Sequence, residues 1–212
     1  MSLPRRALFA AISLISLGGV AFAQGPASGP ASAPAPAPTR VRGVVDSIDA
    51  QQLHVTTRTG QKVTLKLADS ATVRIIAPIA IDAIRPGSFI GTAAVTQPDG
   101  TLKALEIQVF PEAMRGVGEG HRPWDLGADS SMTNGTVGDL TVANGRYLTL
   151  AYKGGEQKVF VPENAPIITY EKGSLADVKP GAHVIVTATH GADETMTATQ
   201  IGVGKDGLVP PM

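Results

Sequence analysis

Residues 81–94 read IDAIRPGSFIGTAA, and residues 175–188 repeat this pattern as LADVKPGAHVIVTA. In both stretches a few helix-compatible residues lead to a basic residue, a Pro-Gly pair and a β-rich run. Proline cannot continue a helix because it lacks the backbone N–H, and glycine allows the chain to turn. The stretch therefore predicts a short helix that stops at Pro-Gly and leads into a strand.

The similarity between the two stretches continues on both sides of Pro-Gly. At an offset of 94 residues (81 to 175), it runs without a gap through the helix, Pro-Gly and two further strands. Near the start of each copy an offset of 92 aligns Gly43 with Gly135. We therefore predict an internal duplication, with copies at residues 40–110 and 133–204.

Apolar and polar residues alternate through both copies, as expected for half-buried strands. Each copy reads as three strands, a short helix and two strands, with a less regular stretch from Ala68 to Pro78 in the first. Pro98-Asp99-Gly100 and Asn144-Gly145 are turn signals. We expect an all-β fold with short helices, arranged as two tandem OB-like five-stranded β-barrels. Two generic β-sandwich halves would fit the same periodicity.

The first 39 residues differ in composition from the rest of the chain. Residues 1–23 combine a basic start, an apolar run and an Ala-Phe-Ala cleavage pattern, which predicts a signal peptide. Residues 24–39 are rich in Pro, Ala and Ser and predict a disordered linker. Residues 205–212 predict a loose tail. We expect a periplasmic protein, with secretion as the alternative.

Composition excludes several classes of function. The 18 basic side chains less Arg5 and Arg6 of the leader leave 16 against 18 acidic ones, so nucleic-acid binding is not expected. The absence of cysteine excludes disulfides and thiolate chemistry. We expect no cofactor, no membrane insertion after cleavage of the leader, and no enzyme activity, because no catalytic motif is present.

A longer pattern resembles a known family. The order G-x-V, L-x-V, V-x-V, PG-x-x-V-x-V and T-x-x-A-x-x-I-x-V is similar to domain-of-unknown-function family 5666 (DUF5666), found in exported bacterial proteins. The first copy carries it at these positions: Gly43, Val45, Leu53, Val55, Pro86, Gly87, Thr101, Ala104, Ile107 and Val109. The second copy carries it at these: Gly135, Val137, Pro180, Gly181, Thr195, Ala198, Ile201 and Val203. The resemblance implies a small OB-like barrel in the periplasm or outside the cell, and it supplies no functional residues.

One departure from the repeat lies in the first copy, where Gly91 replaces the Ile185 of the second. A glycine inside a strand predicts a bulge or loose packing there.

Acidic residues that could act in pairs fall mostly at strand ends, where solvated charge is the usual state. These are Asp46, Asp49, Glu106 and Glu163.

The connector between the copies, residues 111–132, is the stretch that repetition does not explain. It holds the chain's single tryptophan and a concentration of charged residues. Long loops in compact proteins are often functional. The candidate contact residues for a ligand or partner are Arg115, Glu119, His121, Arg122, Trp124 and Asp125.

Three hypotheses account for this connector. In the first it is a structural clasp, with Trp124 in the seam between the barrels and Arg122 paired with Glu119 or Asp125. In the second it contacts a ligand or a partner protein, because Trp and Arg are favoured anchors. In the third His121 joins Glu119 and Asp125 around a metal, although one histidine lacks the usual multi-histidine spacing.

These observations predict an exported, non-enzymatic binding or interaction module of the cell envelope. Its partner would be an unidentified envelope protein or a small ligand. The alternative function is a periplasmic metal-handling protein that uses residues 112–132, with Glu112, Met114 or Met132 as additional metal ligands.

Overall fold

The computed structural model describes residues 38–141, 146–191, 193 and 195–211. The predicted signal peptide, the predicted linker up to residue 37 and the Asn144-Gly145 turn lie outside these residues. The first strand begins at Thr39. No helix within the described residues is long and apolar enough to cross a membrane.

The described residues form twelve strands and four short 3-10 turns. The strands are Thr39–Ile48 (β1), Gln52–Thr57 (β2), Lys62–Pro78 (β3), Phe89–Thr96 (β4), Leu102–Val109 (β5), Gly120–Pro123 (β6), Ser130–Thr141 (β7), Arg146–Tyr152 (β8), Gly155–Val161 (β9), Ile167–Lys172 (β10), His183–His190 (β11) and Met196–Gly204 (β12). The 3-10 turns are Ile81–Ala83, Glu112–Met114, Leu175–Asp177 and Lys205–Gly207.

Ten of these strands form two closed rings. Barrel A consists of β1, β2, β3, β12 and β11, with β12 parallel to β3 and β11 antiparallel to β1. Barrel B consists of β7, β8, β9, β5 and β4, closed by a two-residue parallel pairing of β5 with β9. The predicted all-β class with short helices and five-stranded barrels is therefore confirmed.

The sequence predicts that each barrel is built from one sequence copy. In the structure, each barrel instead combines strands from both copies. β1, β2 and β3 of the first copy close with β11 and β12 of the second, and β7, β8 and β9 close with β4 and β5. The barrels therefore do not coincide with the predicted boundaries 40–110 and 133–204. We call this arrangement the strand exchange.

Residues 68–78 are regular, whereas the sequence predicts a less regular stretch there. They continue β3 as a single strand of 17 residues. Its last part, from Arg74 to Pro78, pairs with β10 of the second copy, while Arg74 to Ile76 also stay paired with β12 of barrel A. The alternation of apolar residues defines which face of β4 or β11 is buried, but both strands carry the same pattern and either could complete a barrel.

The Pro-Gly elements connect the two copies through matched backbone hydrogen bonds. The Gly87 N–H donates to the Val137 carbonyl at 2.8 Å, and the Gly181 N–H donates to the Val45 carbonyl at 2.8 Å. Gly87 and Gly181 have φ of +84° and +85°, a region that glycine enters without a steric penalty. Each Pro-Gly turn thus holds the first strand of the opposite copy.

Each barrel has its own apolar core, built from both copies. In barrel A, Leu53 and Leu65 of the first copy pack with Val186 and Ile201 of the second. The members of the barrel B core that are fully buried include Ile90, Ile107, Leu148, Leu150 and Val159. Burial of this apolar surface is the main force that stabilises the strand exchange.

An antiparallel ribbon of β3 and β10 joins the barrels. Its register runs from Arg74 opposite Lys172 to Pro78 opposite Ile168, and β10 also pairs in parallel with β5. The pairing makes one continuous twelve-stranded sheet. A seam between the barrels lies along this ribbon.

Residues 205–211, the described part of the predicted loose tail, contact the barrels. Lys205 forms a 3.0 Å ion pair with Glu171, and the Arg58 guanidinium donates to the carbonyl of the buried Pro210. The structure thus differs here from the sequence-based expectation, because tail residues with no periodic pattern are held by individual polar contacts.

Candidate functional site at the seam between the barrels

Part of the connector forms the strand β6, which lies against barrel B. This strand pairs with β7, from Gly120 opposite Asn134 to Pro123 opposite Ser131. Side chains alternate along it, so His121 and Pro123 are exposed while Arg122 faces the seam, as does Trp124 just beyond the strand. The strand therefore separates the predicted contact residues into two groups.

Trp124 lies between arginines from two different elements. The Arg40 guanidinium, from β1 of barrel A, lies 3.9 Å from the centroid of its ring. The Arg122 guanidinium lies 5.5 Å from the same centroid. Both distances are within the range of cation–π attraction. The indole Nε1–H is buried and has no hydrogen-bond partner within the described residues.

Asp125 ties the connector to barrel A. Arg42 donates two hydrogen bonds to its carboxylate, at 2.9 and 3.1 Å, and Arg40 lies 3.7 Å away. Both bonds come from the Nη2 atom of Arg42, and they are charge-assisted because both partners are ionised. These contacts have the form predicted for a clasp, although the cation that pairs with Asp125 is Arg42 rather than Arg122.

The connector covers a cleft of about 210 Å³, which we call the seam cleft. The β3–β10 ribbon contributes Arg74, Ile76 and Tyr170 to its lining. Barrel A contributes Arg40, and the connector contributes Arg122 and Trp124, so three sequence-distant arginines line one cavity.

Positive charge is concentrated around this cleft. Burial lowers the pKa of Arg40, with Asp125 acting in the opposite direction. Burial also lowers the pKa of Arg122, and the nearby positive charge of Arg40 adds to the effect. Arg40 and Arg42 pair with Asp125, whereas Arg122 donates to the Gly118 carbonyl at 2.7 Å. The guanidinium groups of Arg40 and Arg122 are therefore partly dehydrated by the protein around them.

A buried polar chain runs beside the cleft. The Tyr170 hydroxyl donates to Gln108 at 2.6 Å, and the Gln108 amide donates to Glu106 at 2.7 Å. Burial raises the pKa of Tyr170, and the charge of Glu106 raises it further. Because the phenol stays protonated, it remains a hydrogen-bond donor to Gln108.

Glu106 is an exception among the acidic residues considered for paired chemistry, which the sequence places mostly at strand ends. It lies in the middle of β5 and is 1 % exposed. The connector and the ribbon cover this outer face of barrel B, so polar positions that alternation assigns to solvent become buried. Thr92, whose hydroxyl donates to the Glu106 carbonyl at 2.8 Å, is fully buried for a different reason, because it lies on the core face of β4 between Ile90 and Ala94.

The strand at Gly91 is regular, contrary to the expected bulge or loose packing. Gly91 pairs with Asn134 and Gln108, and the register shift falls later, between Ala93 and Ala94. A Cβ on Gly91 would lie 2.7 Å from the Asn134 Oδ1 atom. The glycine therefore makes room for Asn134, whose amide donates to the Val117 carbonyl of the connector at 2.9 Å.

The other predicted contact residues lie outside the cleft. The Arg115 guanidinium pairs with Glu112 at 2.7 Å and also donates to the Gly87 carbonyl. Glu119 accepts a hydrogen bond from the Lys153 N–H at 2.9 Å. These contacts fix the connector to barrel B and to the Pro-Gly turn.

The residues of the predicted metal alternative each contact a different group. His121 lies 2.8 Å from the Thr133 hydroxyl, while Glu119 contacts Lys153 and Asp125 contacts Arg42. Across the described part of the chain, no group of three His, Asp or Glu side chains could hold a metal ion.

Four residues of the site were missed by the sequence-based prediction: Arg40, Arg74, Gln108 and Tyr170. They come from four different strands and meet only because of the β3–β10 ribbon. The one available signal was the spacing of Arg40 and Arg42, which places two cations on one face at the start of β1.

Comparison with known proteins gives a match to one family. No curated protein and no solved structure matches the chain. Residues 42–108, which run from within β1 to the end of β5, match the domain of unknown function DUF5666, and this match supports the family resemblance seen in the sequence of the first copy.

Proposed function

We propose that the chain is an exported, non-enzymatic binding module of the cell envelope that takes a small anion in the seam cleft. The observation that carries this proposal is the convergence of Arg40, Arg74 and Arg122 on one cavity without a carboxylate among its lining residues. The envelope location rests on the signal peptide predicted for residues 1–23.

The local charges favour an anionic ligand. Arg40, Arg42, Arg74 and Arg122 surround the seam, and the nearby carboxylates are Asp125 and Glu106. Even with both carboxylates ionised, positive charge is in excess. Guanidinium groups bind carboxylate, phosphate and sulfate through paired hydrogen bonds, and these groups are partly dehydrated before a ligand arrives. The buried Trp124 Nε1–H is a further donor.

The clasp and the ligand site use different residues of the connector. Asp125 and Arg42 hold the connector against barrel A, whereas Arg122 and Trp124 face the cleft. The clasp thereby pre-positions the cleft residues, and pre-positioning reduces the entropy cost of binding. No contact of the described residues favours the alternative of metal handling.

At the level of the fold, we propose that both barrels are OB-type and that they arose by duplication. Three features support this: the same strand order in both barrels, the same Pro-Gly hydrogen bonds, and equivalent close-packed glycines. A Cβ on Gly43 would overlap the Thr56 carbonyl, and one on Gly135 would lie 2.6 Å from the Ala151 carbonyl oxygen.

Fluorescence of Trp124 tests the ligand proposal directly, because it is the chain's single tryptophan. Titration with phosphate, sulfate and succinate at constant ionic strength should give a saturable change with at least one of them. Arg74→Gln and Arg122→Gln should each weaken binding by about tenfold or more, because each removes a charge-assisted hydrogen bond. Arg115→Gln is the matched control and should bind like the unchanged protein.

Two results would contradict the ligand proposal. One is a fluorescence response that rises linearly with every salt and never saturates. The other is equal weakening by Arg115→Gln, which would show that general charge rather than the cleft is responsible.

A further inference from the structure

A pair of aromatic side chains lies on barrel B, away from the seam cleft. Tyr147 of β8 and Phe160 of β9 are direct cross-strand partners. Their ring centroids are 5.4 Å apart at an interplanar angle of 49°, and both side chains are partly exposed. The seam cleft involves neither residue, so this surface needs an explanation of its own.

The turn between β4 and β5 adds a polar wall beside these rings. Gln97, Pro98, Asp99 and Thr101 line a depression of about 360 Å³ together with Tyr147 and Phe160. The Lys158 ammonium lies 4.7 Å from the centroid of the Tyr147 ring. The surface therefore combines two aromatic faces with amide, carboxylate and ammonium groups.

Barrel A has a different chemistry at the corresponding place. There the matching cross-strand pair, one position beyond the buried pair Leu53 and Leu65, is Gln52 and Lys66. Hydrogen bonds with Thr195 lower the pKa of Asp193, in the turn between β11 and β12, and the positive charge of Lys66 adds to this effect. The aromatic pair is thus particular to barrel B and is not a requirement of the barrel.

We propose that this surface, which we call the aromatic face, binds a neutral saccharide ring. The C–H face of a sugar can stack on Tyr147 and Phe160, while its hydroxyls reach the polar side chains of Gln97, Asp99 and Lys158. Two cations, Lys158 and the Phe160 neighbour Lys103 on β5, and one anion, Asp99, lie around the depression. Two separate cations beside a carboxylate do not form the basic groove that single-stranded nucleic acid needs. In five-stranded barrels of the OB type, the face of strands 2 and 3 and the loop between strands 4 and 5 bind oligosaccharides as well as oligonucleotides.

Amide chemical-shift titration with chitotetraose and cellotetraose tests the aromatic face. Saturable shifts are expected at the amides of residues 97, 99–101, 147 and 158–160 with at least one of the two sugars. The double variant Tyr147→Leu/Phe160→Leu keeps apolar bulk but removes the aromatic faces, and should weaken binding by about tenfold or more in a protein that still unfolds cooperatively, at a somewhat lower melting temperature because the ring pair is lost. Gln52→Ala/Lys66→Ala in barrel A is the matched control and should leave binding unchanged.

Three results would overturn the saccharide assignment. The first is the absence of saturable shifts at these amides with both sugars. The second is equally tight binding by the double leucine variant. The third is a response of the same amides to a dT12 oligonucleotide or a proline-rich peptide but to neither sugar. If the leucine variant is unfolded, single Tyr147→Leu and Phe160→Leu variants decide the question in the same way.

Discussion

Two fragments made by cutting the chain between Gly116 and Val117 are expected to fold only when they are together. The first fragment carries β1 to β5, and these strands belong to both barrels. Alone it would leave the edges of β1 and β3 without β11 and β12, and exposed edges of this kind favour aggregation over folding. Each fragment should therefore lack a cooperative unfolding transition, and an equimolar mixture should regain one.

Circular dichroism during urea titration measures this outcome. The matched control is the whole protein cleaved at the same bond without separation of the fragments, which should remain folded because residues 115–119 are exposed. A first fragment that alone unfolds cooperatively as a monomer would show that β1 to β5 can close their own barrel, and would contradict the strand exchange.

Substitution of one core isoleucine should destabilise all strands of its own barrel, including the strands that come from the other sequence copy. Ile201 in barrel A and Ile107 in barrel B are 1 % and 0 % exposed, at matched positions of β12 and β5. Each change to alanine should reduce the free energy of unfolding by about 2–5 kcal/mol, because it removes buried methyl groups and leaves a cavity. Ile201→Ala should lower the protection of the backbone amides of β1 to β3 against hydrogen exchange. Ile107→Ala should lower the same protection in β7 to β9.

Hydrogen exchange followed by mass spectrometry locates these losses. Strands β4 and β5 serve as the internal control for Ile201→Ala, because they belong to the other barrel. If Ile201→Ala instead exposed β7 to β9 and left β1 to β3 protected, the strands would be grouped by sequence copy, and our assignment of the cores would be wrong.

Local features of the fold could be predicted from the sequence, whereas strand partners could not. Alternation and Pro-Gly located the strands of each copy, and the short helix predicted before the second Pro-Gly is the 3-10 turn Leu175–Asp177. There the Ser174 N–H donates to the Asp177 carboxylate at 2.8 Å. The partner of β1 could not be predicted, because β4 and β11 present equivalent patterns. The pattern alone therefore leaves the choice between them open.

The candidate site was predictable only in part, because the sequence shows its local features but not which distant strands meet there. The connector stood out by composition, and Arg122 and Trp124 do line a cleft. Arg74 and Tyr170, however, reach that cleft through the β3–β10 ribbon, which joins residues almost a hundred positions apart. Alternation along single strands carries no information about such a surface. The burial of Glu106 could not be predicted from alternation, because the connector and the ribbon, and not solvent, cover that face of its strand.

A disulfide cross-link tests the strand exchange most directly, and the absence of native cysteine makes the result simple to interpret. Val44 on β1 lies opposite His183 on β11, whereas Phe89 is the residue at the same position of β4. We predict that Val44→Cys/His183→Cys oxidises to a cross-linked monomer and that Val44→Cys/Phe89→Cys does not. A cross-linked monomer formed by the second pair, with none from the first, would contradict the strand exchange.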